Sequence, residues 1–226
     1  MMTHKCFLVG SSTFALQTPT GSTIANDIGG SISLNAESYA RNALQICEIP
    51  EVLFPSILAS ELLVLHLGVM EFLPSLRRRL YPCLAVQSKN GFLYDIQYER
   101  VPIIARLVNS YNRACFNTQL KMNLCINDIS RDTLKNFVTE LNENPESKIA
   151  RIFLISPPPV THPHSQEATS QTNSVLQNLK LLFRNVEVID YNVLTKGLLH
   201  DKSGHLIESD RKTFASRVVS TIEVYL

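Results

Sequence analysis

Two groups of residues in this chain are of types that do chemistry. Ser11, Ser12 and Thr13 follow the apolar run CFLVG at residues 6–10, and His200, Asp201 and His205 lie shortly before the last helical stretch. A serine hydroxyl is a poor nucleophile at neutral pH. It needs an imidazole to take its proton, and the imidazole needs an acceptor to fix its tautomer. A hydroxyl on a tight turn, a late histidine and a nearby aspartate are therefore the minimum set for nucleophilic acyl transfer. The same three hydroxyls are also good helix caps, so the residues alone leave that reading open as well. Other chemistries have less behind them. Neither GxGxxG nor GxxxxGK[ST] occurs, which disfavours a dinucleotide or nucleoside-triphosphate site. The stretch THPH sets His162 and His164 two apart, but no cysteine or carboxylate cluster completes a ligand set. No metal and no cofactor is expected, and these histidines instead line a substrate entrance.

The elements that must position these residues follow from the hydrophobic pattern. KCFLVG (5–10), SISLNA (31–36), ELLVLHLG (61–68), KIARIFLIS (148–156) and VEVIDY (186–191) read as strands buried on both faces, as in parallel sheets. Between them lie helical periods. TLKNFVTEL puts Leu134, Phe137, Val138 and Leu141 on one face, after Asp128 or Ser130 as cap and before a stop at Asn144-Pro145. SVLQNLKLLF repeats the pattern, and a last helix from about Ser209 carries Phe214, Val218, Ile222 and Tyr225. The segment 156–173 is polar and proline-rich and reads as an extended, mobile loop. Alternating strands and helices predict a single α/β domain over 1–226, a three-layer, flavodoxin-like sandwich with a mainly parallel sheet of about five strands. An insertion at about 74–125, with a helix over VPIIARLVNSYNRAC, interrupts the order after the third strand. In such sheets ligands bind beyond the carboxyl ends of the strands, here Gly10-Ser11-Ser12-Thr13, Asn35 to Ser38, and Gly68 to Glu71.

Bulk properties bound the partners. Apolar residues make up 45% of the chain and charged residues 18%, with a net charge of +1, so no field favours nucleic acid or an anionic membrane. Arg77-Arg78-Arg79 reads as a solvated face. Five cysteines without a CxxC read as reduced thiols. The first strand starts too early for a signal peptide, and LLVLHLGVMEFL is too short to span a bilayer. The expectation is a soluble, cytoplasmic protein; its oligomeric state is not readable from these features.

With these elements in place, the chain resembles the SGNH (GDSL-type) hydrolases over nearly its whole length. The family opens on a strand running into Gly-Asp-Ser, and LVGSSTF maps its nucleophile onto Ser12 and its aspartate onto Ser11. SLNAESYARNAL fits the second block, with Ser38 in the place of the oxyanion-hole glycine. LHLGVMEF fits the third, where Gly68 matches while Met70 and Glu71 replace asparagine and aspartate. DKSGHL fits the last block, with His205-Leu206 matching, Asp201 one residue too far back and Lys202 in the expected slot. CINDIS offers a rival Asn-Asp pair, but it directly precedes a helix, and Asn127-Asp128 reads as capping. The resemblance implies a serine esterase or acyl hydrolase with Ser12 as nucleophile, His205 as base and Asp201 as orienting acid. The N–H groups of Ser12 and Ser38 would form the oxyanion hole, and Gly10, Ser11, Gly68, Met70 and His162 the pocket. A thioether cannot donate to an oxyanion, so Met70 is a pocket wall that favours an apolar acyl group. The implied substrate is a small acyl ester, such as an O-acylated carbohydrate. Two alternatives stay open: a catalytically silent protein of the same fold that binds or interacts, and an acyltransferase that uses the same nucleophile.

Overall fold

Side-chain alternation along three central strands decides the architecture. In the computed structural model β1 is His4–Gly10, β2 Leu34–Ala40 and β3 Leu62–His66. A hairpin of β4 (Val86–Ser88) and β5 (Gly91–Leu93) precedes β6 (Arg151–Ile155) and β7 (Val186–Ile189). The helices are α1 (Ser12–Ala15), α2 (Ile24–Gly29), α3 (Phe54–Leu58), α4 (Asp128–Glu143), α5 (Pro163–Leu182), α6 (Tyr191–Leu194) and α7 (Glu208–Glu223). The structure describes residues 4–10, 12–31, 34–40, 44, 46, 49, 51–67, 86–88, 91–93, 128–158, 163–201 and 205–225. The expected helix over 101–115 lies outside them.

The main sheet has five strands in the order β2-β1-β3-β6-β7, and every pair in it is parallel. Cys6 and Leu8, Leu62 and Val64, and Phe153 and Ile155 point into one core. There they meet Ile24 and Ile28 of α2 and Phe214, Val218 and Ile222 of α7. Phe7 and Val9, Leu63 and Leu65, and Ile152 and Leu154 point the other way, onto Ile57 of α3, Leu134 to Leu141 of α4, and Leu176 and Leu179 of α5. A period of two with both faces apolar can be satisfied only by a sheet covered on both sides. The three-layer α/β sandwich expected from the sequence is therefore present.

Three boundaries differ from the sequence reading. β2 runs to Ala40 rather than ending at residue 36, because its exposed polar positions Asn35, Glu37 and Ser38 still pair with β1 at the sheet's edge. The stretch from Pro163 to residue 173 is the first half of α5, not a loop. A proline in the first turn gives up an N–H that has no intrahelical partner anyway, and Thr172 then packs fully buried one turn before Leu176. Within 74–125 the described residues form the antiparallel β4–β5 hairpin, which the sequence did not signal.

Candidate active site

The turn that carries Ser12 is built by a packing requirement at Gly10. β1 ends there, level with Ala40 of β2 and His66 of β3, and α1 begins two residues later on Ser12. A side chain at Gly10 would put its Cβ 2.5 Å from the ring of Phe14, so only glycine lets the chain fold back this tightly. Phe14 is fully buried and stacks on the His66 ring, with centroids 5.4 Å apart and planes at 23°. Ser12 thus stands at the carboxyl end of an inner strand of a parallel sheet, where such folds bind ligands.

Behind this turn lies a layer of polar rings that the sequence reading passed over. His66 is buried, and neither ring nitrogen has a hydrogen-bond partner. Burial pushes its pKa down to about 4, which its own peptide opposes only in part, so the imidazole is neutral near pH 7. The Tyr191 ring lies 5.8 Å from it, and His200 lies 6.1 Å beyond Tyr191. Burial pushes the Tyr191 phenol well above its ordinary range, and the nearby Thr13 side chain offsets this slightly without closing a hydrogen bond. The available signal was a lone histidine in the otherwise apolar strand LLVLH.

The histidine loop is a short hairpin. His200 bridges Leu206, the Asp201 N–H donates to the His205 carbonyl at 2.7 Å, and the His205 N–H donates to Asp201 Oδ1 at 3.0 Å. Asp201 is exposed and His205 half-buried. One Asp201 oxygen therefore serves the backbone of its own turn, the task its position one residue out of register suggests. The hairpin's stem is held from α7. Asp210 Oδ2 accepts from the Leu199 N–H at 2.6 Å, and Arg211 Nε donates to the Leu206 carbonyl at 2.9 Å. Arg211 Nη1 also donates to the carbonyl of Gln17, just after α1. Leu206, beside His205, and Phe14, two residues after Ser12, are fully buried in the same core.

Ser38 does not stand where an oxyanion donor was expected. It lies inside β2 opposite Leu8, two residues (about 7 Å) short of the strand's end. Its hydroxyl donates to Asn26 Oδ1 of α2 at 2.8 Å. The cause is the longer β2, which moves the strand's tip past Ser38. Of the remaining pocket residues, Gly10 is at the site, while Ser11, Gly68, Met70 and His162 lie outside the described residues. Among the described residues no group of three or more histidine, cysteine, aspartate or glutamate side chains is placed to hold a metal, and no helix is long and apolar enough to cross a membrane.

No protein-family model and no curated protein matches the chain, whereas solved structures do. A Desulfitobacterium hafniense protein assigned to the G-D-S-L lipolytic family superposes with a TM-score of 0.56 at 10% identity, over 95% of this chain and 98% of that one. The acetylxylan esterase Axe2 of Geobacillus stearothermophilus, as a catalytic mutant, gives 0.55 at 12% identity, over 98% and 95%. A family two carbohydrate esterase from Clostridium thermocellum gives 0.56 at 13%, over 99% of this chain but 65% of its own. The chain has the fold shared by these proteins.

Proposed function

We propose that a chain with this G-D-S-L-type fold works as a serine acyl hydrolase, with Ser12 as nucleophile and His205 as base. The observation that carries the reading is the convergence of the two loops. The His205 hairpin, although late in the sequence, is fastened through Arg211 to the segment that follows Ser12. Ser12 Oγ attacks the ester carbonyl as His205 takes its proton, the same proton goes to the departing alkoxide, and water then releases the acyl group by the reverse sequence. The Ser12 N–H is the oxyanion donor in this reading, and Asp201 steadies His205 through the hairpin. The substrate class is a small acyl ester. An O-acylated carbohydrate is favoured because two of the similar structures are carbohydrate or acetylxylan esterases.

Transfer to an alcohol instead of water uses the same acyl-enzyme. It is supported by likeness to the salicylyl-acyltransferase SsfX3, with a TM-score of 0.53 at 12% identity over 100% of this chain and 55% of that one. A silent binding protein is favoured by one observation, the use of Asp201 Oδ1 by the hairpin backbone. Fluorophosphonate labelling mapped by mass spectrometry separates these readings. Stoichiometric label on Ser12, lost in Ser12→Ala and His205→Ala, is the expected result. No label on the wild type at a saturating concentration leaves only the binding protein.

A further inference from the structure

From the hydrogen bonds of one side chain on α7, we infer that Arg211 is a positioning residue that locks the His205 hairpin against the Ser12 turn; this rests on the serine hydrolase reading. Its Nε donates to the carbonyl of Leu206, adjacent to His205. Its Nη1 donates to the carbonyl of Gln17, which is 194 residues away in sequence and lies two residues after the end of α1. Gln17 is itself fixed, since it bridges Thr23, and the Ile24 N–H donates to the Leu16 carbonyl at 3.0 Å. The half-buried Arg211 therefore ties the hairpin that carries the proposed base to the segment leaving α1, whose first residue is the proposed nucleophile.

The choice of residue matters. A guanidinium is planar, stays charged, and presents several N–H donors in a fixed fork, so one group can hold two carbonyls at a set separation. A lysine ammonium is a single point on a flexible stem and cannot fix that separation. Both bonds of Arg211 go to main-chain carbonyls. It acts through His205, whose imidazole must lie within hydrogen-bond reach of the nucleophile for proton transfer. A misplacement of about 1 Å in such a pair costs on the order of 100-fold in rate.

α7 supplies its own control. Arg217, on the same helix, donates from Nη1 to the carbonyls of Leu194 and Lys196, both at 2.8 Å, and so closes the end of α6 without reaching either loop. The test uses the full chain as wild type, Arg211→Ala, Arg211→Lys and Arg217→Ala. Fluorophosphonate labelling rates and p-nitrophenyl acetate kinetics are read beside amide hydrogen exchange. For Arg211→Ala the expected result is a fall of about 10- to 100-fold in labelling rate and kcat, with KM within about twofold. Arg211→Lys should fail to restore the rate, and exchange should quicken at 205–207 and 16–18 while the α7 core stays protected. Arg217→Ala should stay within about twofold of wild type in rate. A wild type that takes label and an Arg211→Ala variant that matches it overturn the positioning role and leave the hydrolase reading standing. An equal loss in Arg217→Ala overturns it too, by showing a general effect of loosening α7. A wild type that takes no label overturns the hydrolase reading, and with it the positioning role.

Discussion

The Ser12 turn and the His205 hairpin, which Arg211 links by way of Gln17, are made of different materials. The Ser12 turn is anchored by buried rings: Phe14 folds over Gly10 and stacks on His66, with Tyr191 behind. The His205 hairpin puts one side chain, Leu206, into the core and is otherwise anchored by polar contacts near the surface, from Asp201, Asp210 and Arg211 to main-chain groups. Burying an aromatic ring contributes several kcal/mol, whereas a hydrogen bond contributes about 0.5–1.5 kcal/mol net, and about 1.5–3 with a charged partner. Damage to the first loop should therefore appear as lost stability, and damage to the second as lost rate in a protein that stays folded.

The largest expected effect is on the buried side. Phe14→Ala removes a fully buried ring and should lower unfolding stability by about 3–5 kcal/mol, seen as a lower denaturant midpoint. Gly10→Ala creates the opposite fault, a methyl 2.5 Å from that ring, and should cost about 1–3 kcal/mol. If both variants kept wild-type midpoints and lost only rate, the contrast between the loops would fail.

His66 sharpens the contrast through pH. Its folded pKa is held down at about 4, against 6.5 in a free side chain. The unfolded chain then binds a proton that the folded chain refuses, so stability is complete above pH 6.5 and drains away as pH falls from 6.5 to 4. Over that window the loss is roughly 3 kcal/mol. Subtracting the profile of His66→Leu isolates it: the difference between the two proteins should be level above pH 7 and shift against the wild type toward pH 4. A difference that is flat throughout would mean that the ring is wet.

What the sequence made legible divides along the same line. Runs such as LLVLH and RIFLI have their apolar residues on both faces, and that pattern alone requires a covered parallel sheet, so the central strands were readable to within a few residues. β2 was not, because an edge strand with one neighbour tolerates polar residues, and Asn35, Glu37 and Ser38 looked like its end. The oxyanion assignment of Ser38 was built on that reading of the strand's end. The first half of α5 was hidden by Ser, Gln and Thr residues, which carry no strong apolar stripe to mark a helix. At the candidate site, Ser12 and His205 were proposed from residue type and order. Arg211 was not, because its two acceptors are backbone carbonyls, which leave no mark on a sequence, and one of them is 194 residues away.

The smallest expected change in stability belongs to Asp210, and it bears most directly on the hairpin. Asp210 Oδ2 accepts from the Leu199 N–H at 2.6 Å, where the chain enters the hairpin. The contact is exposed, so water can replace it, and Asp210→Ala should cost only about 0.5–1.5 kcal/mol. Asp210 also lies in the first turn of α7, where its negative charge favours the helix by about 0.3–1 kcal/mol. Asp210→Asn separates the two effects, because an amide oxygen still accepts from Leu199 while the charge is gone. If the hairpin's geometry matters for rate, Asp210→Ala should label several-fold more slowly and Asp210→Asn should recover most of that loss. Equal slowing in both variants would trace the effect to the charge at the start of α7. Unchanged labelling in both would mean that Asp210 does not set the hairpin, and the polar anchorage would narrow to Asp201 and Arg211.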